Sequence, residues 1–382
     1  MEEHEVPGMK RVGNLWQQVT SWENLLASAQ AAARGKRARP DVARFLHDLE
    51  PNLCRLQREL LAGEWVPGEY RVHWIRDPKP RMISAAPFRD RVVHHALTRV
   101  LETVFEPRFT AHSFASRKGF GQHQALQKAR EACGQYKYVL KCDIRKYFPS
   151  MDHGVLKALL ARAIKCKPTL ALTFAIIDGS NQQEEVSSLF PGDTLFTRFE
   201  RRRGLPIGNQ TSQFFANVYL NALDHFVLRE LRPALYLRYV DDFVLFSDEK
   251  SELARMRCAI VEHLEGLRLD LNAGKSRIYH CADGVRFLGW RLFPHHARLP
   301  RRNVVGMRRR LGAIAAAFHR AEVDFAAVRA RVAAWLGHAR FGDTLRIREQ
   351  LFAGFTLVEA EHGRTARGLL EQQHQERPRV EP

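Results

Sequence analysis

The stretch from Leu235 to Ser247, LYLRYVDDFVLFS, constrains the fold more than any other part of the sequence. Two runs that are rich in aromatic and β-branched residues flank a pair of adjacent acids, Asp241 and Asp242. Apolar runs on either side of a short polar break predict a β-hairpin with the acids at its tip. Adjacent carboxylates raise each other's pKa unless a cation lies between them. The pair therefore fits either a solvated turn or a metal site.

A third acid favours the metal site. Asp143 follows the β-prone residues Tyr138 to Leu140. If this strand lies beside the hairpin, three carboxylates converge at one edge of a sheet. Two divalent ions held about 4 Å apart by such a cluster can activate an attacking hydroxyl and stabilise a departing pyrophosphate. Oxygen ligands suit Mg²⁺, with Mn²⁺ as a possible substitute. The simpler alternative is that Asp143 is a strand-end acid near a salt bridge.

An acid at a strand end, followed later by an aromatic-X-Asp-Asp hairpin, resembles the palm of a reverse transcriptase. The resemblance implies an α+β right-hand polymerase with fingers, a palm built on an antiparallel sheet, and a helical thumb. It implies that a dNTP is joined to a 3′-hydroxyl under the direction of an RNA template. It also implies that Asp143, Asp241, Asp242 and the backbone carbonyl of Ile144 bind the metal ions.

A second motif, GLPIGNQTSQ from Gly204 to Gln213, narrows the resemblance. Most reverse transcriptases have Gln where this chain has Ile207, and Pro where it has Gln213. This variant resembles the reverse transcriptases of diversity-generating retroelements. That subfamily makes cDNA from a template-repeat RNA with errors opposite adenines, diversifies a variable protein gene by mutagenic retrohoming, and works with a small basic accessory variability protein.

The substitution at position 207 has a physical meaning. A glutamine there could hydrogen-bond near the nascent base pair, whereas Ile207 cannot. One hydrogen bond contributes about 1 kcal/mol, which is roughly a factor of five to ten in discrimination. This loss is large enough to affect fidelity, but it does not account for a preference for adenine.

Further substrate contacts follow from positions that match the family. Two β-prone runs flank Asp77 to Pro80 and predict a hairpin whose tip carries the triphosphate-binding residues Lys79 and Arg81. The other dNTP contacts implied by the resemblance are the steric gate Phe148, the motif residues Ile207 and Gly208, and Lys275, a candidate proton donor to pyrophosphate. The simpler alternatives are an exposed basic turn, a packed phenylalanine and a surface lysine.

The composition favours a nucleic-acid partner. Lys and Arg total 60 against 42 Asp and Glu, which gives a formal charge of +18. Expected contacts with the template RNA and the RNA–cDNA duplex come from a glycine-rich fingers loop and from the thumb: Arg117, Lys118, Arg301, Arg302, Arg308, Arg309 and Arg310. An acidic membrane surface would also attract this charge. However, no run of about 18 apolar residues exists, and the acidic start does not resemble a secretory signal. We therefore expect a cytoplasmic protein of bacterial or phage origin.

The expected domain order follows the polymerase pattern. An N-terminal helical extension covers 1–68 and the fingers cover 69–140. The palm covers 141–160 and 204–293, interrupted by an insertion at 161–203, and a run from Val285 to Trp290 is expected to be a strand that closes its sheet. A helical thumb covers 294–361, with a disordered polar tail at 362–382 and no maturase, endonuclease or RNase H domain after it.

Two other interpretations stay open. One is a retron-like or defence-type prokaryotic reverse transcriptase, which Ile207 and Gln213 argue against. The other is a non-catalytic RNA-binding scaffold derived from a polymerase, which the retention of all three acids argues against. Six cysteines without C-x-x-C spacing argue against a zinc ribbon and indicate reduced thiols.

Overall fold

The computed structural model describes residues 10–75, 80–181, 183–186, 188–194 and 196–358. Lys79, one of the two expected triphosphate ligands, and the expected tail at 362–382 lie outside the described residues. The chain divides into two compact units. The first unit comprises residues 1–125 and 139–278, and the second comprises residues 126–138 and 279–382.

The first unit begins with helices, as the three- and four-residue spacing of apolar side chains predicts. They are α1 (Trp16–Thr20), α2 (Trp22–Ala33), α3 (Pro40–His47) and α4 (Leu49–Ala62). The Ser21 side chain caps α2 by accepting a hydrogen bond from the Asn24 amide at 3.2 Å. Gly63 ends α4 in the left-handed conformation that favours glycine, with φ of 72°. The buried faces of α1 to α3 pack against α5 (Phe88–Phe105), the longest helix of this unit.

The predicted hairpin before α5 is present. Strands β1 (Arg71–Ile75) and β2 (Arg81–Ala85) pair antiparallel, from Arg71 opposite Ala85 to Ile75 opposite Arg81. Of the residues that join them, 76–79, which include Lys79, lie outside the described residues.

A four-stranded sheet, called the central sheet below, contains the predicted hairpin with the paired acids. Its strand order is β4 (Leu235–Tyr239), β5 (Asp242–Ser247), β3 (Tyr138–Asp143) and β6 (Arg277–His280). Helices α11 (Gln210–Phe226), which continues into a π-helical turn, and α12 (Lys250–Gly266) each bury an apolar stripe. The first unit also contains α7 (Tyr147–Ser150), α8 (His153–Ala163), α9 (Lys167–Asp178) and α10 (Thr197–Glu200), whereas α6 (Gln122–Gln135) lies mostly in the second unit.

The prediction of one strand from Val285 to Trp290 that closes the central sheet was wrong. These residues form a separate hairpin of β7 (Val285–Phe287) and β8 (Trp290–Leu292), which β9 (Ala297–Arg298) extends to three strands. The chain reverses at Leu288 and Gly289 because both residues have positive φ, 45° and 85°. β6 takes the edge position of the central sheet instead.

The second unit also contains helices α13 (Arg301–His319), α14 (Phe325–Ala339) and α15 (Leu345–Phe352). Met307, Leu311 and Leu351 form a small core on which Trp335 packs. The six cysteines are free thiols, as expected. Within the described residues, no helix is both long and apolar enough to cross a membrane.

Candidate active site

The turn between β4 and β5 carries the paired acids. Tyr239 lies opposite Asp242 in the register, so Val240 and Asp241 form a two-residue loop. Val240 has a φ of 57°. β-branched residues rarely adopt positive φ, and such strain persists only where the surrounding structure holds it, often at functional sites. The hairpin is therefore present as predicted, with a strained residue next to its acids.

Asp143 lies on the strand next to this hairpin. It is the last residue of β3, which neighbours β5 in the sheet. The amide of Ile144 donates a hydrogen bond to the carbonyl oxygen of Asp241 at 3.2 Å. This bond links the end of β3 directly to the turn. The structure thus brings Asp143, Asp241 and Asp242 to one end of the sheet.

The electrostatics reflect this crowding of negative charge. Burial raises the pKa of Asp241, the charge of Asp143 raises it further, and the charges of Lys275 and Arg81 oppose the increase. Burial also raises the pKa of Asp242 to about 6, against the opposing charge of Lys141. A nearby cation would therefore stabilise the ionised forms of these acids.

Two lysines supply positive charge to the acids. The Nζ atom of Lys275 lies 2.6 and 2.7 Å from the two carboxylate oxygens of Asp143. This places a predicted substrate residue at the acids. The Nζ atom of Lys141 lies 3.2 Å from Oδ1 of Asp242. The sequence analysis missed Lys141, although strand periodicity puts it on the same face of β3 as Asp143.

The oxygen-only donor set fits a divalent metal ion such as Mg²⁺. Within the described residues, no three His, Cys, Asp or Glu side chains are already arranged around a single metal position. Instead, Lys275 forms an ion pair with Asp143, and Lys141 forms one with Asp242. Metal binding at this site would therefore require the lysines to give up part of their contact with the acids.

The second predicted motif lies beside Phe148 and β2. The amide of Leu205 donates to the carbonyl of Phe148 at 2.9 Å, and the amide of Ser84 donates to the carbonyl of Ile207 at 3.0 Å. Gly208 has a φ of 115°, and a Cβ atom there would lie 3.0 Å from a methyl of Ile83. A side chain at position 208 is thus disfavoured by both conformation and space.

The other predicted site residues differ in exposure and in hydrogen bonding. Arg81 and Lys118 are exposed, and the effect of Arg81 on the pKa of Asp241 places its charge near the acids. Gln213 accepts a hydrogen bond from the Ser116 hydroxyl at 3.2 Å. In the second unit, the predicted thumb arginines are exposed on α13: Arg301, Arg302, Arg308, Arg309 and Arg310.

Arg117 has a structural environment that the sequence analysis did not foresee. Its side chain is only 5% exposed and pairs with Glu106 at 2.8 Å. It also donates to the carbonyls of Thr110 and Ser113 and stacks over the ring of Phe120. This geometry leaves the side chain almost fully buried, which argues against the predicted contact with RNA.

Comparison with known proteins decides the family. Residues 76–292 match the family model described as reverse transcriptase (RNA-dependent DNA polymerase). The chain belongs to the reverse transcriptase family. The matched range includes Asp143, Asp241 and Asp242, so the reverse transcriptase resemblance seen in the sequence is confirmed at the level of the family.

Individual relatives of this reverse transcriptase are more distant. Protein YkfC of Escherichia coli (strain K12) is 27% identical over 292 residues, which cover 65% of this chain and 73% of that protein. The group II intron-encoded protein LtrA of Lactococcus lactis is 25% identical over 308 residues, which cover 63% of this chain and 49% of that protein. The chain thus spans about half the length of the intron-encoded relative. A solved structure of apo telomerase from Candida tropicalis, truncated from its C-terminal domain, matches with a TM-score of 0.45 over 61% of this chain and 55% of that chain, at 14% identity.

Proposed function

We propose that this reverse transcriptase is an active RNA-directed DNA polymerase with the right-hand arrangement of fingers, palm and thumb. The observation that carries the proposal is the placement of Asp143, Asp241 and Asp242 at one end of the central sheet. Family membership supplies the reaction class. The net charge of +18 supplies attraction to an RNA template and to the RNA–cDNA duplex.

In this mechanism the acids would be the ligands of Mg²⁺. Asp143, Asp241, Asp242 and the carbonyl of Ile144 would hold the metal. When bound, the metal lowers the pKa of the attacking 3′-hydroxyl and neutralises charge on the departing pyrophosphate. Lys275, whose Nζ atom lies 2.6 Å from Asp143, would donate a proton to the leaving group.

The remaining substrate contacts come from the two elements that meet at Ile207. Arg81 begins β2 and would hold the triphosphate together with Lys79. The backbone bonds of Leu205 and Ile207 tie the motif to Phe148 on one side and to β2 on the other. Phe148 would then lie under the sugar and exclude a 2′-hydroxyl.

Primer extension on an RNA template with Mg²⁺ tests the polymerase proposal. The parent chain is expected to make cDNA, and the double variant Asp241→Ala plus Asp242→Ala is expected to make none, because the metal ligands are lost. Asp283→Asn serves as the control, since Asp283 is an exposed carboxylate of the second unit. RNA binding without any metal-dependent synthesis, with the accessory protein and cognate RNA also supplied, would favour the non-catalytic scaffold instead.

We further propose that the enzyme serves a diversity-generating retroelement. The support is the pair Ile207 and Gln213 in the 204–213 motif. Under this proposal the enzyme makes error-prone cDNA from a template-repeat RNA together with a small basic accessory variability protein, and it diversifies a variable protein gene. Sequencing of the extension products is expected to find errors concentrated opposite template adenines. Accurate cDNA would instead favour the retron-like or defence-type alternative.

The contribution of Ile207 can be separated from that of the subfamily. Ile207→Gln restores a hydrogen-bonding side chain while the backbone bond from Ser84 is kept. We expect misincorporation to fall about five- to tenfold, the discrimination of one hydrogen bond. An unchanged error spectrum would show that Ile207 does not loosen base selection.

A further inference from the structure

The strained turn that carries Asp241 is held from beneath by a buried ionic network. Arg238 lies in β4, and its side chain is 0% exposed. Its Nε and Nη2 atoms each lie 2.6 Å from one oxygen of Asp224, a residue of α11 that is also 0% exposed. The Tyr236 hydroxyl donates to the same carboxylate at 2.7 Å. A buried charge pair of this kind requires close geometry and further hydrogen bonds to offset its desolvation.

One nitrogen of the guanidinium is directed to the turn itself. Nη1 of Arg238 donates to the carbonyl of Val240 at 3.0 Å and to Oδ1 of Asn217 at 3.3 Å. Val240 is the residue with a φ of 57°. Its carbonyl belongs to the peptide that joins it to Asp241, so this bond fixes the peptide plane immediately before the acid.

The second carbonyl of the turn is also held. The Asp241 carbonyl accepts the Ile144 amide at 3.2 Å, next to Asp143. The backbone of Arg238 is held on both sides. Its amide donates to the carbonyl of His112 at 2.8 Å, and its carbonyl accepts from the amide of Phe114 at 2.9 Å. The turn is therefore fixed to β3 on one side and to the buried guanidinium on the other.

We propose that Arg238 is a positioning residue for polymerisation: its guanidinium, oriented by Asp224, holds the Val240 carbonyl so that the strained turn presents Asp241 and Asp242 toward Asp143. This inference rests on the proposed function for its effect on catalysis. The guanidinium fork is essential, because three nitrogens must bond in different directions at once. A lysine keeps the charge but offers a single nitrogen.

The test compares Arg238→Lys with a matched core variant, Leu223→Ala. Leu223 is a fully buried residue of α11 next to Asp224 in the sequence, so its truncation perturbs the same helix while the side chains of Arg238 and Asp224 are kept. The first readout is hydrogen exchange in peptides that cover 139–147 and 235–247. Arg238→Lys is expected to speed exchange of the Ile144 and turn amides by about tenfold relative to Leu223→Ala.

The second readout is primer extension under conditions in which both variants are folded. Arg238→Lys is expected to lower kcat by about a hundredfold relative to Leu223→Ala, with the KM for dNTP within about threefold, since misplaced ligands impair the reacting geometry more than substrate binding. Adding Val240→Gly to Arg238→Lys is expected to recover about tenfold of kcat, because glycine adopts positive φ without strain. Tyr236→Phe should have little effect on exchange in the turn, as it leaves the bond to Val240 intact.

The inference is overturned if Arg238→Lys matches Leu223→Ala in exchange at the turn, or if its kcat loss is no larger and adding Val240→Gly restores nothing. Failure of the proposed function has a different appearance. In that case the parent chain makes no DNA that depends on Asp241 and Asp242, while the exchange measurement still decides whether Arg238 holds the turn.

Discussion

Replacing Asp242 with asparagine is expected to stabilise the metal-free protein at neutral pH. Burial raises the pKa of Asp242 from its ordinary value of 3.8 to about 6 in the folded chain. Because the folded pKa is the higher one, the folded state binds protons more tightly than the unfolded state does. Stability from this group is therefore fully present below pH 3.8 and is lost as the pH rises through about 6.

The magnitude follows from these two pKa values. Relative to a neutral side chain, the aspartate costs about 1 kcal/mol at pH 4.5 and about 3 kcal/mol at pH 7.5. The stability gained by Asp242→Asn should thus grow by about 2 kcal/mol between these pH values. Asparagine matches the size of aspartate, so this pH-dependent part isolates the charge.

Urea unfolding in the presence of EDTA measures the effect. Parent, Asp242→Asn and the exposed control Asp283→Asn are compared at pH 4.5, 6 and 7.5. A gain that stays constant within about 0.5 kcal/mol across this range would refute the reasoning, because a raised folded pKa demands a pH-dependent difference. Adding Mg²⁺ at pH 7.5 provides an independent arm. It should stabilise the parent by about 2.7 kcal/mol at one hundred times Kd, and it should stabilise Asp242→Asn less.

Three further predictions concern the acids, the 204–213 motif and the two basic residues of the fingers loop. Lys141→Met removes the ammonium that opposes the raised pKa of Asp242, so the acidic limb of the pH profile for primer extension should shift to higher pH; an unshifted limb would contradict it. Gly208→Ala should destabilise the fold by about 1 to 3 kcal/mol in urea unfolding, because φ at this position is 115° and Ile83 is close. The control is Gly266→Ala, which lies in open space at a helix end and should be neutral or stabilising in the same titration. Arg117→Ala should lower stability without changing the salt dependence of RNA binding, whereas Lys118→Ala should reduce the slope of that dependence by about one; a reduced slope for Arg117→Ala would restore its predicted contact with RNA.

The chemistry of the site could be predicted from short stretches of sequence. The hairpin with Asp241 and Asp242 follows from two β-prone runs around a polar break, and the structure has a hairpin there with Val240 and Asp241 in its loop. Asp143 could be placed at a strand end for the same reason. Local patterns succeed here because strand periodicity and turn position are set by neighbouring residues.

The strand predicted at 285–290 shows where local patterns are insufficient. Val285 to Trp290 is β-prone apart from Gly289, and Leu288 and Gly289 adopt positive φ and divide it into two strands. Their membership of a separate sheet depends on which edges are available, and that is decided by the whole topology. The shorter strand β6 (Arg277–His280), which follows Lys275 in the chain, pairs with β3 instead.

Arg117 and Arg238 show the same limit for charged residues. Both lie in basic or aromatic stretches that are compatible with exposure, yet Arg117 is 5% exposed and Arg238 is 0% exposed. Arg117 pairs with Glu106, and Arg238 pairs with Asp224, which lies on another element. No sequence pattern identifies either carboxylate as the partner. A buried guanidinium needs a carboxylate and several carbonyls aimed at it, and only the folded chain brings these groups together. The residues that perform the proposed chemistry could therefore be predicted from the sequence, whereas the residue inferred to hold them in place could not.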